Sequence, residues 1–107
     1  MFKPADQLTY RTLFTGVELS TRVCGEKTLL AQFKLQQGAA IPVHAHPYEQ
    51  TGILLAGRIV LHFNGVDHAA GPGDCWCIAA GLPHSARAIE AAVVVEVFSP
   101  PREDYLG

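Results

Sequence analysis

Short runs in which apolar and polar residues alternate follow one another along the chain, and glycine, proline, asparagine and aspartate punctuate them. A period of two puts successive side chains on opposite faces, the pattern of a half-buried strand. It predicts strands at 8–13, 17–23, 28–35, 41–46, 50–56, 58–63, 66–70, 75–78, 84–89 and 91–98. The breaks carry turn chemistry. Asn64-Gly65 is a strong two-residue hairpin signal, and Gly71-Pro72-Gly73-Asp74 and Gly81 with Pro83 mark further turns. No segment sustains a helical period beyond about two turns. Only "PADQL" and the tail "PPREDYL" suit a short helical turn. Closely spaced strands without intervening helices predict an all-β sandwich or barrel, as a single domain over 1–107.

Composition adds two expectations. Hydrophobic residues make up 49% of the 107 residues and charged residues 17%. So apolar a surface on so short a chain predicts that a second copy covers part of it, as a homodimer. The net charge of -2, with no basic stripe, argues against nucleic acid and anionic membranes as partners. The segment "MFKPADQLTY" lacks the apolar core of a signal peptide, and no apolar run is long enough to span a bilayer. Three cysteines, an odd number, give no disulfide framework. Together these features predict a cytoplasmic protein.

The chemistry concentrates in "HAHPYEQTG". Strand alternation points His44 and His46 the same way, from a strand end flanked by Pro42 and Pro47. Two imidazoles on one face fit two vertices of a metal polyhedron. Gln50 follows at the head of the next strand and offers a neutral oxygen. Glu49 competes for that role, but its parity turns it away. His84, after "GLP" at the start of another strand, is the candidate for a further ligand.

These residues fall into two spaced patterns that resemble the cupin superfamily. The first pattern is Gly, five residues, His-x-His, three or four residues, Glu, six residues, Gly. It is met by Gly38, His44, His46 and Gly57, with Gln50 where the glutamate belongs. The second is Gly, five residues, Pro-x-Gly, two residues, His, three residues, Asn. It is met by Gly73, Gly81 and His84, with Ala79 and Ala88 replacing proline and asparagine. The resemblance spans 38–88. It implies a cupin-type jelly-roll β-barrel holding one divalent transition metal ion (Zn, Ni, Fe, Mn or Co) at His44, His46, Gln50 and His84. Lacking an anionic ligand, such an ion keeps its full charge, which favours a carboxylate ligand.

The tail "VVVEVFSPPREDYL" resembles that of small single-domain cupins that act on unsaturated uronates in pectin and alginate degradation. That resemblance implies active-site roles for Glu96, Phe98 and Arg102, with Glu96 departing from the aspartate of the pattern. Read from the residues alone, Glu96 interrupts an apolar run, so it is either paired or facing a polar cavity. Arg102, set by Pro100 and Pro101, suits bidentate binding of a carboxylate. A structural Glu96–Arg102 ion pair clamping the tail is the competing reading. The resemblance implies a metal-dependent enzyme that converts a cyclic 4,5-unsaturated uronate to its linear keto form, with a small carboxylate or sugar acid as ligand. The alternatives are a non-catalytic small-molecule-binding cupin and a cupin dioxygenase.

Other residues are expected to be structural. Cys75 and Cys77 share a strand face and, with Cys24, are expected to be small buried hydrophobes. Trp76 faces oppositely, into the barrel or onto a dimer surface. Tyr48 either flanks the cleft or caps the turn. His62, His68 and Arg58 are expected at the surface.

Overall fold

The computed structural model describes residues 1–106. Eight strands carry the fold: β1 (Arg11–Phe14), β2 (Val17–Cys24), β3 (Leu29–Leu35), β4 (Ala40–His44), β5 (Glu49–Phe63), β6 (Val66–Ala70), β7 (Cys75–Ile78) and β8 (His84–Ser99). Single 3-10 turns at Ala5–Gln7 and Glu103–Tyr105 lie where the sequence suits helical turns.

Two long strands organise the rest. The C-terminal half of β8 lies between β3 and the N-terminal half of β5, with β2 and β1 beyond β3 and β7 beyond β5. The N-terminal half of β8 lies between β4 and the C-terminal half of β5, with β6 beyond β5. β5 and β8 thus bend from one sheet into the other, the double-sheet arrangement of a jelly roll. All pairings are antiparallel.

Ten expected strands become eight because both long strands run through sites that resemble breaks. At Gly57 the register between β5 and β8 shifts while pairing continues, and Gly57 has a φ of 85°. A Cβ there would lie 2.0 Å from the Ala91 carbonyl oxygen. The backbones approach too closely for any other residue, so this glycine makes the bend rather than ending the strand. Gly57→Ala should therefore destabilise the fold by about 2 kcal/mol or more, read as a lower urea midpoint, because it adds a clash to the left-handed strain. Similarly, β8 continues through Glu90.

The expected strand at 8–13 shrinks to β1. Tyr10 instead engages the sheet's outer face, where its hydroxyl accepts from Gln32 Nε2 at 2.8 Å and the Lys34 ammonium lies 4.6 Å from its ring centre. The expected strand at 41–46 ends at His44, leaving His46 in the following loop.

Inward side chains form the core: Leu19, Leu29, Phe33, Leu54, Ile59, Leu61, Ile78, Val94 and Phe98 are all buried. Trp76 points inward with them. Alternation then turns Cys75 and Cys77 outward, and both are exposed. The expectation of buried thiols at these positions is thus corrected, while Cys24 is half-buried. His62 and His68 are exposed; His62 Nδ1 meets Asp67 Oδ1 at 2.7 Å, and His68 stacks on Phe63. Arg58 is exposed and loosely paired with Glu90.

Candidate metal centre and the cavity around it

Three imidazoles meet at one mouth of the barrel. His44 closes β4, His84 opens β8 directly opposite it, and His46 reaches in from the loop that leads to β5. Ring centres lie 4.2 Å apart for His44 and His84, 4.9 Å for His46 and His84, and 5.4 Å for His44 and His46. One ligand atom from each falls within 4.8 Å of the others.

Each ring is oriented by a backbone carbonyl two residues away. Nδ1 meets the oxygen of Pro42 for His44 (2.9 Å), of Tyr48 for His46 (3.0 Å) and of Leu82 for His84 (2.8 Å). A carbonyl oxygen only accepts, so each Nδ1 donates and each Nε2 is left with a lone pair. Burial, the largest cause, pushes His84 down to about 4, and lowers His46 as well, so both rings are neutral near pH 7. Among the described residues the buried Nε2 of His84 has no hydrogen-bond partner.

Gln50 completes the set. Its Oε1 lies 2.7 Å from His46 Nε2, while its Nε2 donates to Glu96 Oε2 at 2.5 Å. A neutral His46 carries one proton yet sits between two acceptors, the Tyr48 carbonyl and the Gln50 oxygen. Burial disfavours the imidazolium that would satisfy both. A cation shared by Nε2 and Oε1 satisfies both lone pairs, and it also gives His84 Nε2 a partner. The donor set of three neutral imidazoles and one amide oxygen therefore fits a divalent transition metal.

Glu96 owes its place to small neighbours. It is flanked on β5 by Gly52 and on β3 by Ala31. The Trp76 indole lies over Gly52, where a Cβ would meet its Nε1 at 2.4 Å. With no side chain on Gly52 and only a methyl on Ala31, the carboxyl lies beside Gln50 along the same inward face. Glu96 is buried, and desolvation raises it to about 7. The indole N–H of Trp76, the Gln50 amide and the Arg102 charge oppose that rise. Among the described residues Trp76 Nε1 completes no hydrogen bond, so it acts as a nearby dipole rather than a bonded donor.

Arg102 is buried too, but its carboxylate partner is Asp104, with Nε to Oδ1 at 3.2 Å and Nη2 to Oδ2 at 2.7 Å. The competing reading of a Glu96–Arg102 pair is thereby corrected. The 3-10 turn after Arg102 brings Asp104 alongside the guanidinium, whereas Glu96 is held by Gln50. The side-on edge of Arg102 is taken, leaving its Nη1 side for a ligand. Aromatic rings fix the guanidinium further, with Tyr105 at 3.9 Å, Phe98 at 5.0 Å and Tyr48 at 5.3 Å. The tail is tied down by Arg11 Nη2 donating to the Asp104 carbonyl, and by Thr21 Oγ1 donating to the Tyr105 carbonyl.

The histidines, Gln50, Glu96, Arg102, Asp104 and Tyr105 line one cavity of about 320 Å³, whose remaining wall includes Leu13, Phe33, Ile41 and Leu61. Every site residue expected from the sequence, namely His44, His46, Gln50, His84, Glu96, Phe98 and Arg102, lines it. Sequence reasoning missed Asp104 and Tyr105, which hold Arg102, and left Trp76 as packing. The acid two residues after Arg102 was a signal for the first, but Glu103 offered the same charge one position earlier.

Comparisons with known proteins agree with this fold. The fold matches KdgF from Halomonas sp. with a TM-score of 0.92 at 24% identity, over 97% of this chain and 98% of that one. It matches an RmlC-like cupin from Shewanella frigidimarina with a TM-score of 0.92 at 22% identity, over 97% and 94% of the two chains. A predicted oxalate decarboxylase from Thermotoga maritima matches with a TM-score of 0.82 at 21% identity, over 92% and 98%. No curated protein matches the chain by sequence. Residues 31–98 match the family model described as the cupin domain, which takes in most of β3 through most of β8 and every proposed metal ligand, and the chain belongs to that family.

Proposed function

We propose that the protein is a metal-dependent enzyme that opens a cyclic 4,5-unsaturated uronate to its linear keto form. The reading rests on one observation above the rest: a buried carboxyl raised to about 7 shares one cavity with an arginine and the three-imidazole cluster. His44, His46 and His84 would hold the metal through Nε2, and Gln50 through Oε1. Bound there, the metal supplies positive charge that polarises a sugar oxygen.

The reaction is an isomerisation. The anomeric hydroxyl loses a proton and the ring oxygen gains one as the bond between C1 and that oxygen breaks, giving an aldehyde and an enol. The enol then becomes the ketone by gaining a proton at C4 and losing one from oxygen. One carboxyl near neutrality can take up and return such protons, which is the role of Glu96. Arg102 holds the sugar's carboxylate with the Nη1 side that Asp104 leaves open, and Phe98 walls the pocket. The cavity lies at the small end of ligand sites and suits a single sugar ring.

The test is loss of the near-ultraviolet absorbance of the conjugated double bond when metal-loaded protein meets an unsaturated uronate. No change at any metal loading would remove the uronate reading in favour of a binding role. Arg102→Ala should raise KM by about tenfold or more, with a smaller change in kcat, because a charged hydrogen bond to the substrate carboxylate is made before the chemistry.

We also propose that the protein works as a homodimer. On the outer face of the larger sheet, Cys77, Thr51, Val97 and Leu30 form one cross-strand row and Cys75, Ile53 and Val95 another. These rows carry no charge, so a two-fold axis can lay the face on its own copy without like-charge repulsion. Sedimentation should give twice the chain mass at micromolar concentration, and Val95→Lys should give the single mass.

A further inference from the structure

An amide has an accepting end and a donating end, and a metal can use only the first. We propose that Glu96 is the positioning residue that fixes Gln50 with its oxygen toward the histidines, so that the affinity of the metal centre depends on a residue that does not touch the metal. The inference deepens the reading of His44, His46, His84 and Gln50 as ligands and rests on it.

Gln50 has two ways to sit. In one, Nε2 donates to the Glu96 carboxylate and Oε1 faces His46 Nε2, as the structure has it. In the other the amide is turned over, and its N–H donates to His46 Nε2. That second state satisfies His46, whose Nδ1 already donates to the Tyr48 carbonyl. It also consumes the lone pair a metal needs, and presents a donor where a ligand oxygen belongs. Without a metal, His46 alone would favour the turned-over amide.

Ionised, as an acceptor only, Glu96 decides against it. Turning the amide would set its carbonyl oxygen against a carboxylate oxygen at 2.5 Å, in a place where Gln50 and Glu96 are both buried. The carboxylate thus holds the binding-competent state before the metal arrives. A site whose competent state is only fractionally populated loses affinity by that fraction. The length of residue 96 matters as well. Ala31 and Gly52 leave room beside it, and the glutamate fills that room far enough to touch Gln50. An aspartate would withdraw its oxygens by about an ångström and lose the direct contact.

The test is a double-mutant cycle read as cobalt(II) affinity, by competition with a chelator on metal-free protein, with thermal melts confirming that all variants fold. Glu96→Gln presents either polarity to Gln50 and no longer selects, so it should weaken cobalt binding by about tenfold or more, as for other residues that orient metal ligands. In a Gln50→Ala background there is no amide to orient, and the same Glu96→Gln change should leave affinity within about twofold. Gln50→Glu combined with Glu96→Gln reverses the polarity of the contact, and should regain most of the loss. An equal loss in both backgrounds would mean that Glu96 acts through its charge alone and would overturn the proposal, as would an unaffected Glu96→Gln variant. Wild-type protein that binds no cobalt would overturn the ligand assignment itself, so the two failures are told apart.

Discussion

Replacing His84 with alanine should abolish metal binding while leaving the metal-free fold about as stable as before. The asymmetry comes from what His84 does without a metal. Its buried Nε2 has no partner among the described residues, and its ring lies 4.2 Å from His44 and 4.9 Å from His46 between centres. Such an arrangement contributes little to a metal-free protein, because an unsatisfied buried nitrogen costs free energy that alanine would recover. With a metal present the balance reverses. Loss of one of three imidazoles takes away a principal donor, and the site has no carboxylate ligand to compensate. Metal at a hundred times its Kd stabilises the native state by about 2.7 kcal/mol, and removing it withdraws that amount. Metal-loaded wild type should therefore melt well above its chelated form, and His84→Ala should melt at the chelated temperature with or without metal. Cys75→Ala, on the outer face away from the cavity, should retain metal as the wild type does. Elemental analysis that finds stoichiometric metal in a protein carrying both His44→Ala and His84→Ala would sink the assignment.

The histidine cluster was legible in the sequence because His44 and His46 are close in the chain and His84 falls in a second spaced motif. Strand parity predicts that His44 and His46 turn the same way, and they do converge, although the strand ends at His44 and His46 reaches in from the loop. The strand count was less legible, because Gly57 reads as a break when only its neighbour is known. Its closeness to Ala91, more than thirty positions away, is what makes it a bend. The partners of the charged groups were least legible. Arg102 has Glu96, Glu103 and Asp104 as candidates, and the choice follows from a single 3-10 turn. Glu96 reaches Gln50 because Gly52 stands opposite it, a consequence of the register between β5 and β8 that no local pattern encodes. Exposure of Cys75 and Cys77 had the same origin. The alternation was read correctly, but which face was inner depended on Trp76 finding room over a glycine of the adjacent strand.

Glu96→Gln, assayed at saturating metal, should lower turnover by about a hundredfold to ten-thousandfold with KM changed far less. Saturating metal is essential, since the same change is expected to weaken metal binding, and only turnover at full occupancy isolates the proton role. The glutamine preserves shape and one hydrogen bond to Gln50 but can neither accept nor return a proton. Glu96→Asp asks a different question, because it keeps the chemistry and moves it. The cavity is fitted to the longer side chain: small residues flank it, the Trp76 indole lies close by, and the Gln50 amide meets it at 2.5 Å. Withdrawal by about an ångström should cost on the order of a hundredfold in turnover, even though the resemblance of the tail implies an aspartate here. A gain of activity in Glu96→Asp would show instead that the cavity still fits the shorter acid, and that the glutamate is a drift away from it. Glu96→Gln turning over the uronate as fast as wild type at saturating metal would remove Glu96 from the chemistry and leave it only the role of holding Gln50.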